Sequence, residues 1–204
     1  MARRESLRRR PPSRSVLPRI LIVCEGTKTE PGYFEDLRQR YRRVVEVELS
    51  PGGVPKTLVE RAVEMKRDAD AKAAKDENER YDEVWCVFDV ENHPKINDAK
   101  QQARDNGIKL AISNPCFEIW VLLHFQDQRA HISPTQLRAA CRKHIPGYQK
   151  ELPVERLSPL YSEAVARAVA LDAWQGQQGD GRKGANPSTG VHELTERIRG
   201  FDGA

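Results

Sequence analysis

Two rhythms of apolar and polar residues alternate along this chain. Continuous apolar runs of strand length occur at Ile20–Cys24 and across Glu83–Phe88, the pattern of parallel strands covered on both faces. Val44–Leu49 alternates apolar with acidic residues, as a half-exposed strand does, and Ile108–Ile112 is a fourth strand. Between them run segments of helical period. One starts near Pro31 and carries Phe34, Leu37 and Tyr41; a second, from about Pro55 to Lys75, has Leu58, Ala62 and Met65 on one stripe. A third, Lys95–Asn106, stops at Gly107. The breaks fall at Ser50-Pro51-Gly52-Gly53 and at the polar run Lys75–Arg80. The order β-α-β-α-β-α-β predicts an α/β fold with a mostly parallel four-stranded sheet flanked by helices.

After the fourth strand, Ser113-Asn114-Pro115 leads into an apolar helix over Cys116–Phe125, with Phe117, Trp120, Val121 and His124 on one side. Beyond residue 130 only helical candidates follow, at Pro134–His144, Pro159–Trp174 and Gly190–Arg199. Gly176–Ala185, with Arg182 and Lys183, reads as a loop, and Asn186, Ser188 and Thr189 as a loop and helix cap. The expected organisation is a basic tail over 1–18, an α/β core over 19–130 and a helical C-terminal extension over 131–204.

At 204 residues the chain is long enough for one ordinary domain with appendages. Its mean hydropathy of -0.70 leaves no run approaching the roughly 20 apolar residues that span a bilayer, so a membrane-spanning protein is not expected. The basic start has no apolar segment behind it, so it does not read as a secretory signal, and a cytoplasmic location is the expectation. Residues 1–19 hold seven arginines against Glu5, a net +6 that exceeds the whole chain's +4 and leaves the rest at −2. Such a tail either stays solvated or touches phosphate backbones without reading sequence. The four cysteines form no C-x-x-C pair, and Cys24 and Cys86 lie inside apolar runs as small hydrophobes.

In an open parallel sheet, ligands bind outside the carboxyl ends of the strands. Here the first strand runs into Glu25, the third ends at Asp89 with Glu91 two residues on, and the fourth ends at Ser113-Asn114, four residues before Glu118. Converging carboxylates repel one another, and a hard cation such as Mg²⁺ or Mn²⁺ relieves the repulsion. Acidic residues also follow strands in ordinary solvated loops. Gly26 allows a tight turn beside Glu25, and Asp89 and Glu91 share one side of an extended strand end. Lys28 is placed to neutralise a phosphate, and His93 to contact phosphate or supply a proton. Asn114 either caps the next helix or faces a substrate. Glu118, a charge inside an apolar helix, needs a partner, as a further metal ligand or as the orienter of a basic group. His124 and Trp120 read as core, and Cys116 has no partner base that would make it a nucleophile.

The segments CEGTKTEPGYF (24–34), FDVENH (88–93), SNPCFEIWVLLHF (113–125) and NPSTGVHEL (186–194) resemble, in that order, the motifs of the RloB-like family, over about residues 19–199. That family is placed in the Toprim superfamily with topoisomerases, bacterial primases, recombination mediators and the overcoming-lysogenisation-defect nucleases. The resemblance implies a Toprim-like fold and a Mg²⁺-dependent nuclease. Glu25 matches the superfamily's general acid or base, and Asp89 and Glu91 match its metal-binding Asp-x-Asp pair, with Glu91 departing from the usual second Asp. Glu30 is then either a first-turn charge suited to the helix dipole or a residue supporting the metal site. The resemblance also implies antiphage defence beside an ATPase partner or restriction system. The chain has no G-x-x-x-x-G-K-[ST] motif, so a nucleotide-driven step would belong to another protein. The alternatives are a non-catalytic nucleic-acid or protein-binding module, and a phosphotransfer enzyme acting on nucleotides.

Overall fold

The computed structural model describes residues 18–42, 44–50, 54–90, 93, 96–149, 151–177 and 185–200. The basic tail to residue 17, the break at 51–53, Glu91 and the loop positions Arg182 and Lys183 lie outside the described residues.

The alternation of strand and helix predicted from the sequence is present. It runs β1 (Arg19–Cys24), α1 (Thr29–Tyr41), β2 (Val44–Leu49), α2 (Pro55–Ala73), β3 (Glu83–Asp89), α3 (Ile96–Asp105) and β4 (Lys109–Asn114). After these come α4 (Glu118–Leu123), α5 (Pro134–His144), α6 (Val154–Leu157), α7 (Tyr161–Gly176), β5 (Ser188–Thr189) and α8 (Val191–Arg199). The sheet order is β2-β1-β3-β4-β5. The pairs β2–β1, β1–β3 and β3–β4 are parallel, whereas β5 runs antiparallel to β4.

Local chemistry sets the ends of these elements. Arg42 adopts φ 49° and its N–H reaches back to the carbonyls of Arg38 and Gln39, closing α1. Gly107, at φ 63°, lets Ile108 N–H bond the Ala103 carbonyl at 2.8 Å and turns the chain into β4. Ser133 starts α5 with a reciprocal cap, its side chain accepting from Gln136 N–H while the Gln136 side chain accepts from Ser133 N–H.

Helices cover both faces of the sheet. On one, Leu21, Val23, Val84, Cys86 and Phe88 pack with α2 and α3 through Leu58, Ala62, Ala99 and Ala103. On the other, Ile20, Ile22, Cys24, Trp85 and Val87 join Phe34, Trp120, Leu137, Tyr161 and Leu194 in one cluster. Residues from both sides of position 130 therefore share one core.

Three expectations need correction. The sheet has five strands, because Ser188 and Thr189, expected in a loop, pair with Asn114 and Ser113. The stretch beyond residue 130 is accordingly not helical throughout. The apolar helix expected over Cys116–Phe125 is regular only over Glu118–Leu123, and Asn114 does not cap it, because β4 extends through Asn114. Thr189 retains a capping contact, its Oγ1 accepting from Val191 N–H at 3.2 Å. Asn186 clasps a distant segment, its amide bonding both the N–H and the carbonyl of Ile132 at 3.0 and 2.9 Å.

Candidate functional site

The strand order 2-1-3-4 reverses direction between β1 and β3, the switch point at which doubly wound sheets bind ligands. Register brings the carboxyl ends together there. Cys24 lies beside both Leu49 and Val87, Glu25 N–H bonds the Val87 carbonyl at 3.0 Å, and Val90 N–H bonds the Ser113 carbonyl at 2.8 Å. Glu25 and Asp89 thus leave neighbouring strands at nearly the same level.

A cleft of about 610 Å³ opens at this edge, lined among others by Glu25, Lys28, Glu30, Asp89, His93, Glu118 and Arg138. Six residues singled out in the sequence, Glu25, Lys28, Glu30, Asp89, His93 and Glu118, meet in it. Asn114 does not line it; it ends β4 opposite Ser188. Glu91 lies outside the described residues.

Contacts within the cleft are specific. His93 Nε2 lies 2.9 Å from Glu25 Oε1, with both side chains about four-fifths buried. Glu30 is buried at the start of α1, and its carboxylate rests directly on Gly26, in the space a Cβ there would need. Any side chain at position 26 would collide with it. Lys28 is exposed just before α1. Glu118 is buried in the first turn of α4, where its Oε1 accepts from Arg138 Nε at 3.3 Å and Tyr148 Oη at 3.4 Å. Burial, then the charge of Glu118, pushes the Tyr148 phenol above its ordinary range, so it stays a donor. Burial and the charges of Glu118 and Asp89 likewise push the Cys116 thiol up, which keeps it protonated and inert as a nucleophile. His124 is core, its Nδ1 against the Trp120 carbonyl at 2.9 Å.

The donor set suits a hard divalent cation. Glu25 and Asp89 offer carboxylate oxygens from adjacent strand ends, and one or two carboxylates are what Mg²⁺ ordinarily takes from protein, keeping waters elsewhere. Among the described residues the ligand atoms of Glu25, Asp89 and Glu118 do not all fall within 4.8 Å of one another; the trio that does is Asp172, His192 and Glu193, on α7 and α8 and not among the residues lining the cleft.

Sequence reasoning missed Arg138 and Tyr148. Arg138 stands next to core residue Leu137 on an ordinary amphipathic helix, 20 positions from Glu118. Only the fold brings it to the cleft. The pairing of a buried acid with an unidentified cation was the one signal available, since Glu118 required a partner.

No curated protein matches the chain. The solved structure of a sigma-54 interaction domain protein from Enterococcus faecalis is similar over 81% of this chain and 99% of that one, at 8% identity and a TM-score of 0.31. A family model described as RloB-like protein matches residues 20–198, a span that contains the cleft, all of the sheet but Arg19, and the clasp at Asn186. With nearly the whole chain matched, and every cleft residue named above inside the match, the chain belongs to the RloB-like protein family.

Proposed function

We propose that this chain is a Mg²⁺-dependent Toprim-type nuclease that hydrolyses phosphodiester bonds in nucleic acid. The observation that carries the reading is the meeting of Glu25 and Asp89 at the β1–β3 switch point, in an open cleft, with His93 on Glu25. Glu25 and Asp89 would hold the cation, with Glu91 as the further carboxylate that the family resemblance supplies. Bound there, Mg²⁺ (or Mn²⁺) supplies charge neutralisation for a phosphoryl oxygen. Glu25 takes a proton from the attacking water or gives one to the leaving oxygen. A proton on His93 Nε2 donates to Glu25 Oε1 and fixes that carboxylate. Lys28 offers a cation to the phosphate as negative charge builds on it.

Membership of the RloB-like family supports a role in antiphage defence in the cytoplasm beside a separate ATPase or restriction system. No described helix is long and apolar enough to cross a membrane. A second reading, a nucleic-acid or protein-binding module without turnover, is favoured by one observation: among the described residues of the cleft, the ligand atoms of Glu25, Asp89 and Glu118 do not all lie within 4.8 Å of one another.

The two readings part in one experiment. Mn²⁺ calorimetry on wild type and Asp89→Asn, beside time courses with Mn²⁺ on single-stranded DNA, duplex DNA and tRNA, is expected to show weaker metal binding in the variant and its loss of cleavage. Equal affinities would remove the metal site, and metal binding without cleavage of any substrate would leave the binding module.

A further inference from the structure

A second group of ligand-type side chains stands where α7 meets α8. Among the described residues, one oxygen each of Asp172 and Glu193 and one ring nitrogen of His192 all lie within 4.8 Å of one another. Asp172 belongs to the last two turns of α7, and His192 and Glu193 to the first turn of α8. None of the three lines the cleft, and the proposed reaction uses none of them.

His192 is the informative member. Its side chain is only 8% exposed, and it carries two ring nitrogens that each call for a partner. Nδ1 has one, the Thr189 carbonyl at 3.1 Å. A carbonyl only accepts, so Nδ1 carries the proton and the neutral ring presents the Nε2 lone pair. Nε2 faces Asp172 Oδ2 across 3.7 Å, beyond the roughly 3.2 Å reach of an N–H···O bond. Nitrogen and oxygen ligands of one Zn²⁺ each stand about 2.0–2.2 Å from the ion. A separation of 3.7 Å therefore corresponds to an angle of roughly 125° at a shared ion, a modest opening of the tetrahedral value. Fixing Nδ1 on a backbone carbonyl is also how metal-ligating histidines are ordinarily oriented.

The carboxylates complete the set. Asp172 is 39% exposed and takes part in a further interaction of its own. Ligation is compatible with that, because a carboxylate presents about four lone-pair sites and ligating carboxylates are themselves hydrogen-bonded. Glu193 is exposed at the start of α8 and supplies the third ligand. One imidazole with two carboxylates differs in kind from the all-oxygen pair of the cleft. Mg²⁺ favours oxygen donors, whereas imidazole suits Zn²⁺ and its neighbours in the first transition row.

We infer that Asp172, His192 and Glu193 form a second metal site, for a divalent transition metal of the Zn²⁺ class, and that the ion ties α7 to α8. Water fills the remaining position. Gln175, one turn on from Asp172, already bonds the carbonyls of Ala185 and Pro187 on the chain that enters β5. His192 follows β5 by three positions. The ion thus adds a hold on the chain leaving β5 to the hold on the chain entering it. The site shares no residue with the cleft and does not rest on the nuclease reading.

The test is Zn²⁺ calorimetry on the full chain with Mg²⁺ in large excess, beside thermal melts with and without Zn²⁺. Wild type is expected to bind one Zn²⁺ and to melt higher with it. Asp172→Asn, His192→Gln and Glu193→Gln are each expected to lose at least about tenfold in Zn²⁺ affinity, because removing a ligand costs no less than removing a residue that orients one. Asp89→Asn is expected to stay within about twofold of wild type, as an independent site does. Should the buried His192→Gln fail to fold, Asp172→Asn and Glu193→Gln, on more open side chains of unchanged shape, carry the test.

No Zn²⁺ binding by wild type, or wild-type affinity in folded Asp172→Asn or Glu193→Gln, overturns the site. So does Zn²⁺ binding that Asp89→Asn abolishes, which would put the ion in the cleft. A melting temperature lowered in Asp172→Asn by the same amount with and without Zn²⁺ reduces the group to an ordinary ion pair and overturns it as well. A chain that binds Zn²⁺ here but cleaves no nucleic acid loses the nuclease reading alone, and one that cleaves with Mg²⁺ but binds no Zn²⁺ loses this inference alone.

Discussion

His93 Nε2 and Glu25 Oε1 stand 2.9 Å apart, joining the residue that leaves β1 to one that follows β3 by four positions. The contact crosses the switch point of the sheet and ties the two strand ends whose carboxylates define the cleft. It also fixes one oxygen of Glu25 and leaves the other for chemistry.

Glu25→Gln is accordingly expected to lower the cleavage rate by about 10²–10⁴-fold, the usual contribution of a proton-transfer group. Its melting temperature without metal should be unchanged or raised, since a charge close to Asp89 is removed. His93→Ala should lose about tenfold or more, and the double variant should be no slower than Glu25→Gln, because the two act as a unit. Rates and melts on all three proteins check this. An unfolded Glu25→Gln would make the residue structural, and independent, multiplying losses would dissolve the pair.

Gly26→Ala should leave the protein folded yet damage the cleft. Its Cβ would collide with the Glu30 carboxylate, and that buried side chain would be driven from its place against Gly26. Mn²⁺ affinity, measured by calorimetry, should fall in Gly26→Ala and recover in Gly26→Ala with Glu30→Ala, where the obstruction is gone. No recovery in the double variant would mean that the glycine matters for its backbone alone.

His124 gives the stability a defined pH dependence. Burial pushes its pKa down to about 4 from the ordinary 6.5, so the folded protein disfavours the imidazolium. Above about pH 6.5 the residue is neutral in both states and costs nothing. As pH falls from 6.5 through 4 the unfolded chain takes the proton first, and stability drops by up to about 3 kcal/mol. Urea titrations between pH 7 and 4 on wild type and His124→Gln should show a smaller decline in the variant. Identical declines would show that other groups carry the acid sensitivity.

At the opposite end of β3, Glu83 gathers Trp85 Nε1 at 2.9 Å, Lys109 Nζ at 3.1 Å and Arg197 Nε at 2.8 Å. Burial alone would raise its pKa, but the bonds from Arg197, Trp85 and Lys109 outweigh that and hold it below the ordinary value. The stabilisation is therefore complete above about pH 4.3, and is lost as pH falls through the depressed folded pKa. Glu83→Gln should cost about 1.5–3 kcal/mol at neutral pH, read as a lower melting temperature. The difference from wild type should narrow only in acid. A neutral-pH melt equal to wild type would show the network to be idle.

Most of the sheet was legible because each of β1 to β4 is long enough to carry a period. Val44–Leu49 and Pro134–His144 match their expected limits. β5 was not legible, since Ser188 and Thr189 are too short for any alternation and become a strand only by lying against Asn114 and Ser113. α6, four residues long, escaped for the same reason. In the cleft, Glu25 and Asp89 could be read from their places at strand ends, a rule of topology. Arg138 could not, because its place depends on how α5 packs, and nothing near it in the chain separates it from the exposed cations Arg142 and Lys143.

The shortness of β5 has a consequence for how the molecule can be divided. β2 forms one margin of the sheet and carries Glu46 and Glu48 among its exposed or half-exposed positions, a charge pattern that discourages other strands from docking. β4 has no such defence of its own: its outer rim is occupied at Ser113 and Asn114 by two residues that arrive some 75 positions later in the chain. A fragment stopping near residue 130 would bare that rim together with the apolar surface that α5, α7 and α8 cover, inviting self-association. The C-terminal segment is thus a stopper for the sheet as much as an addition to it, and the protein is best expressed and manipulated as a single piece.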